Sequence, residues 1–158
     1  MNIFDEYTFD LLDALLKNDV QFIVVGGYAV NFHGYRRTTG DIDLWIKPDN
    51  FKNKTNIIKC FRKLLIEEDI LIGIQELDFS NPVLFIDGEE PFKIDFMTFV
   101  SGVTFDDAWE QKIIANVDGL NIPFIHFNHL ILTKISTGRP KDSIDIEQLQ
   151  KIHSKKTD

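Results

Sequence analysis

The chain of 158 residues carries 17 Lys and Arg against 25 Asp and Glu, a formal net charge of -8, and 44% of its residues are hydrophobic. That length suits one domain, 1–158, with a buried core, and the acidity excludes binding of nucleic acid over a broad basic surface, which phosphate neutralisation drives. No apolar stretch is long enough to span a membrane, the acidic start MNIFDEYTFD is unlike a secretory leader, and the single Cys60 rules out an internal disulfide, so the expected compartment is the cytoplasm.

In chain order, Leu11, Leu12, Leu15 and Leu16 mark an amphipathic helix that ends near Asn18, and the apolar run FIVV, closed by Gly26 and Gly27, reads as a buried strand. A short helix over 28–32 and a strand over 41–47, stopped by Pro48, come next. Ile57, Ile58, Phe61, Leu64 and Leu65 then repeat with the spacing of a helix packed on a sheet; Cys60 shares that spacing and reads as a core thiol. Residues 67–80 carry no clear pattern. Strands over 83–86 and 92–98 flank the turn signal Asp87-Gly88, a short helix is expected over 106–111, and a second strand pair is centred on Asp118-Gly119. Two helices close the chain, one over 129–137 and one after Pro140, with Gly138 between them and a frayed end at Lys155 and Lys156.

Asp41 and Asp43 in GDIDLWI are two apart on a strand and therefore share one face of a sheet, where two carboxylates repel unless a cation stands between them. Such a pair points to a hard divalent metal. Ile42, Leu44 and Ile46 point the other way, and in FKIDFMT the residues Phe92, Ile94 and Phe96 point away from Asp95. If the two strands are neighbours, all three acids converge on one open side of the sheet.

The stretch VVGGYAVNFHGYRRTTGDIDLWI, then KIDFM, then LILTKISTGRPKDSIDIEQL, together resemble the nucleotidyltransferase superfamily with the DNA polymerase beta-type fold, and most of all its small single-domain proteins of the abortive-infection toxin type. The resemblance runs from Phe22 to Leu149. It implies an α+β fold with a mixed central β-sheet and helices packed on one side, like a polymerase palm. It also implies transfer of a nucleoside monophosphate from a nucleoside triphosphate to a hydroxyl acceptor, whether an RNA end, a protein or a small molecule. Asp41, Asp43 and Asp95 are then the catalytic and metal-holding acids for two Mg2+ ions, with Mn2+ as substitute, and Gly26 and Gly27 let backbone N–H groups approach the phosphates.

One departure stands out: many similar proteins carry Gly-Ser in this turn, and here the second position is Gly27. The triphosphate then needs other cations, for which Arg37, in the spacing R-x-T-x-D, and Lys134 are the candidates. For Lys134 the competing reading is a structural pair with a nearby carboxylate. Asp142 and Asp145 read as acids of surface ion pairs at a helix start, Lys141 is undecided, the four histidines are structural, and Trp45 and Trp109 are packing residues, although Trp45 shares the aspartate face.

Two further function classes remain open. A protein of this fold can be catalytically silent and act in a toxin–antitoxin pair by binding a partner protein. A glycosyltransferase could use the D-x-D for a nucleotide sugar, but that leaves the third acid without a role and the chain short for such a fold.

Overall fold

The computed structural model describes residues 4–88 and 93–157. Helix α1 (Glu6–Lys17) begins at Asp5, whose carboxylate accepts the Thr8 N–H at 2.9 Å, a cap worth about 1 kcal/mol. Strand β1 (Phe22–Val25) runs directly into α2 (Gly26–Phe32), so the two glycines open the short helix rather than preceding it. Strand β2 (Ile42–Ile46) leads to α3 (Lys52–Lys63) and α4 (Glu68–Glu76), and β3 (Leu84–Asp87) pairs with β4 (Ile94–Met97). After α5 (Phe105–Gln111), β5 (Ile113–Val117) and β6 (Leu120–Phe124) form a hairpin. Its turn residues Asp118 and Gly119 both have positive φ, as a two-residue hairpin turn demands. Helices α6 (Phe127–Thr137) and α7 (Pro140–Thr157) are separated at Gly138, whose φ of 66° is left-handed.

The six strands form one mixed sheet in the order β3-β4-β2-β1-β6-β5. Strand β2 is antiparallel to β1 and parallel to β4, and β1 is parallel to β6. Alternation sorts the side chains. Phe22, Val24, Ile42, Leu44, Ile46, Ile94, Phe96, Ile122 and Phe124 pack under α1, α3 and α4 in the larger core. Ile23, Val25 and Trp45 face the opposite side, where Phe105 and Ala108 of α5, Leu130 and Ile131 of α6 and Leu149 of α7 bury them.

This second layer corrects the expectation that helices pack on one side only. Strand β1 is buried on both faces, and an apolar strand of that kind needs a cover on each. Three boundaries also differ. Helix α3 stops at Lys63 because Leu65 takes a φ of 61°, which leaves Leu65 90% exposed and outside the expected stripe. The unassigned region 67–80 contains α4, which buries only Leu71 and Ile74 and exposes Ile70 and Ile72. The end expected to fray at Lys155 and Lys156 belongs to α7. Phe92, read as a strand residue, lies outside the described residues. Cys60 is fully buried, which pushes its thiol up to about 11 and suits a packing role. Among the described residues no helix is long and apolar enough to cross a membrane.

Candidate active site

The acids meet because β2 and β4 are parallel neighbours in register: Asp43 is paired with Asp95, and Val25, the last residue of β1, is paired with Asp43 on the other side. Parallel, in-register neighbours turn the same face outward at the same level, so the two carboxylates lie side by side. Asp41 occupies the residue just before β2, on the same face by alternation. The side chains of Asp41 and Asp95 retain 19% and 20% exposure, so the cluster reaches solvent at the edge where β1 passes into α2.

Gly26 is required at that edge for two reasons. Its φ of 67° is left-handed, and a methyl group on it would overlap Oδ2 of Asp43 and stand 3.0 Å from the Asp43 Cγ. The bare α-carbon is thus what lets the carboxylate close against the turn. At Gly27 a methyl would overlap the Thr39 hydroxyl oxygen and lie 3.6 Å from Nη1 of Arg37. Thr39 therefore sits against the turn at the site's border. The R-x-T-x-D run contained Thr39, but nothing in its spacing alone showed that its hydroxyl reaches back across α2.

The electrostatics of the cluster are those of crowded acids. Burial, then the neighbouring charge of Asp95 and a side-chain hydrogen bond shared with it, then the charge of Asp41, push Asp43 up to about 7, against a smaller pull downward from Lys134. Oδ1 of Asp41 and Oδ1 of Asp95 are buried without a hydrogen-bond partner, a costly condition that a cation would relieve. A positive charge already stands there: Nζ of Lys93 is 3.2 Å from Oδ2 of Asp41 and 3.9 Å from Oδ1 of Asp95.

In kind, three carboxylates with two orphaned oxygens fit a hard divalent ion. In arrangement, no three carboxylate, imidazole or thiol side chains among the described residues already enclose one, so ligation requires the acids to turn from their present rotamers.

The two cations expected at the triphosphate are placed differently from the acids. Arg37 makes a two-pronged contact to Asp145, Nε to Oδ1 at 2.8 Å and Nη2 to Oδ2 at 2.9 Å, and its backbone N–H donates to the Asn31 side chain at 2.9 Å. Nζ of Lys134 is 2.9 Å from Asp142 and 2.9 Å from Asp145. Lys134 points inward as its helical spacing required, toward the start of α7, and the structural pair is the contact it makes. Asp142 and Asp145 are almost wholly buried rather than at the surface. Burial raises Asp142, but hydrogen bonds from Lys134, Thr137 and Arg139 outweigh it and bring its pKa to about 2; burial of Asp145 is likewise outweighed by Arg37 and Lys134.

Trp45, His33 and His126 serve the scaffold. Trp45 is buried, meets Phe105 edge to face at 5.4 Å, and donates its indole N–H to the Thr98 carbonyl at 3.2 Å. His33 bonds the Ile125 carbonyl at 2.7 Å, and His126 caps α6 by accepting the Asn128 N–H at 3.0 Å.

No curated protein sequence matches the chain significantly. Among solved structures, the lincosamide antibiotic adenylyltransferase LnuA, in its lincomycin-bound form, is similar with a TM-score of 0.55 and 18% identity over 96% of this chain and 99% of that one. A Thermotoga maritima protein assigned as a nucleotidyltransferase, TM1012, is similar with a TM-score of 0.55 and 13% identity over 98% of this chain and 97% of that one. At these identities the likeness establishes the fold, an α+β nucleotidyltransferase fold with a mixed sheet. The family described as "Nucleotidyl transferase of unknown function (DUF2204)" matches residues 6–158, and the chain belongs to that nucleotidyltransferase family.

Proposed function

We propose that this protein is a divalent-cation-dependent nucleotidyltransferase that moves a nucleoside monophosphate from a nucleoside triphosphate to the hydroxyl of a small molecule. The observation that carries the reading is the in-register pairing of Asp43 with Asp95, beside Asp41 and against the bare α-carbon of Gly26. In this reading Asp41, Asp43 and Asp95 hold Mg2+, or Mn2+ in its place, which supplies when bound the positive charge that offsets the attacking and leaving oxygens. The acceptor oxygen bonds to the α-phosphorus, the bond from that phosphorus to the bridging oxygen breaks, and pyrophosphate leaves. Asp95 takes the hydroxyl proton at a carboxylate oxygen. The backbone N–H groups of the Gly26–Gly27 turn would meet the phosphates, the space beside the two α-carbons being filled by the Asp43 carboxylate and the Thr39 hydroxyl, while Arg37 and Lys134 hold the border of the site through Asp145.

Two considerations favour a small acceptor. The net charge of -8 disfavours a long nucleic-acid track, and a protein of the same fold has been solved with the antibiotic lincomycin bound. The test is to supply each α-labelled nucleoside triphosphate with Mg2+ and a cell lysate, then ask which fraction acquires label. Metal-dependent label in small molecules, lost in Asp41→Asn, Asp43→Asn and Asp95→Asn, is the expected result. Label in RNA or protein changes the acceptor. No label with any triphosphate favours the alternative, a silent fold that acts by binding a partner protein as in a toxin–antitoxin pair.

A further inference from the structure

Lys93 lies two residues before Asp95, so an extended backbone turns both side chains to the same face. Its ammonium sits over the acid cluster, 3.2 Å from Asp41 and 3.9 Å from Asp95, and its side chain keeps 27% exposure. Arg37 and Lys134 differ sharply. Both are gripped at 2.8–2.9 Å by carboxylates that are 1% exposed, and withdrawing either would strand a buried charge. At Asp41 and Asp95 the contacts of Lys93 are longer, 3.2 and 3.9 Å, the partner side chains keep about a fifth of their exposure, and the four-carbon stem is flexible, so lifting the ammonium off these two acids costs less than withdrawing Arg37 or Lys134.

It also stands in the way. A divalent ion approaching Asp41 and Asp95 meets a like charge already seated on them, and the two compete for the same oxygens. We propose that Lys93 is the exchangeable cation of this site: it neutralises the acids in the metal-free protein, yields to the divalent ion, and once displaced binds the phosphate oxygens of the nucleotide. The inference rests on the nucleotidyltransferase reading and assigns to Lys93 the phosphate contact for which Arg37 and Lys134 are not available.

The experiment uses Mn2+ as probe. In the unaltered protein, the rate at which a lysine-acylating reagent modifies Lys93, read by mass spectrometry, should rise severalfold on adding Mn2+, because the amine leaves Asp41 and Asp95; an unchanged rate overturns the proposal. Lys93→Met should lower the metal-free melting temperature and tighten Mn2+ binding, measured by electron paramagnetic resonance of the free ion, by about tenfold. At saturating Mn2+ the same variant should bind α,β-methylene triphosphates about tenfold more weakly, and Lys93→Arg should restore most of that binding. Mn2+ affinity that is unchanged or weaker in Lys93→Met overturns the exchange. If Mn2+ binding is abolished by Asp95→Asn yet indifferent to Lys93, the exchange alone fails and the metal site stands; if the unaltered protein binds no Mn2+, both fail.

Discussion

At Gly26 two demands fall on one atom, a left-handed backbone and a carboxylate in van der Waals contact. Gly26→Ala should therefore cost about 1–2 kcal/mol from the backbone alone, and more from the displaced Asp43. Thermal denaturation should show the loss in metal-free protein, and the proposed transferase activity should fall further than stability does, since the alanine methyl moves an acid proposed to hold the metal. Asp43 carries the opposite kind of tension. Three acids crowd one face, and Asp43→Asn removes one charge while keeping the volume, so the variant should melt higher than the unaltered protein in the absence of divalent ions. Adding Mg2+ should reverse the order, and a lower metal-free melting point for Asp43→Asn would contradict the crowding. These residues were legible in the sequence because the relevant physics is local: alternation set the facing of Asp41 and Asp43, and glycine alone tolerates the turn. Thr39 and Lys93 were not, because their roles depend on what lies across the turn and across the strand.

At the scale of elements, the junction of α6 and α7 is an electrostatic joint. Lys134, Asp142 and Asp145 are buried together, with Arg37 entering from the loop before β2 and Arg139 closing on Asp142 at 2.7 Å. Lys134→Met leaves two buried carboxylates short of a cation and should destabilise the fold by about 3–5 kcal/mol in denaturant titration. The joint also sets an acid limit. Asp142 has a folded pKa of about 2 against an ordinary 3.8, so its contribution is fully present above about pH 4 and is lost as pH falls through about 2. Urea midpoints measured from pH 6 to pH 2 should drop over that window, and Asp142→Asn should flatten the drop.

Lys134 illustrates how far the helical pattern reaches: spacing showed that it points inward, but not which anion it meets, since that depends on the crossing of α6 and α7. Helix α4 was illegible for a related reason. Its two buried residues make too narrow a stripe, and Gly73 interrupts it. The elements built on β-branched and aromatic runs, β1, β2, β4 and the β5–β6 hairpin, were plain because alternation and turn residues agree there.

Across the whole molecule, the sheet order decides which acids become neighbours. The parallel pairing of β2 with β4 requires the chain to pass through α3, α4 and β3 before returning, and only that return brings Asp95 beside Asp43. The α+β class and the mixed sheet followed from the family resemblance that the ordered motifs carry, whereas the strand order did not. The second helical layer did not, because α5, α6 and α7 each look like ordinary amphipathic helices and nothing local says which face of the sheet they cover. That layer matters for the site, since it buries Ile23, Val25 and Trp45 on the same face of the sheet that carries the acids.

The contact between Arg37 and Asp145 joins positions 108 apart in the chain. During synthesis the loop that carries Arg37, and later the helix that carries Lys134, emerge with their charges still hydrated and cannot settle into the interior until Asp142 and Asp145 follow. The border of the acid cluster is therefore completed late in synthesis, once the carboxylates that pair with Arg37 and Lys134 have been made.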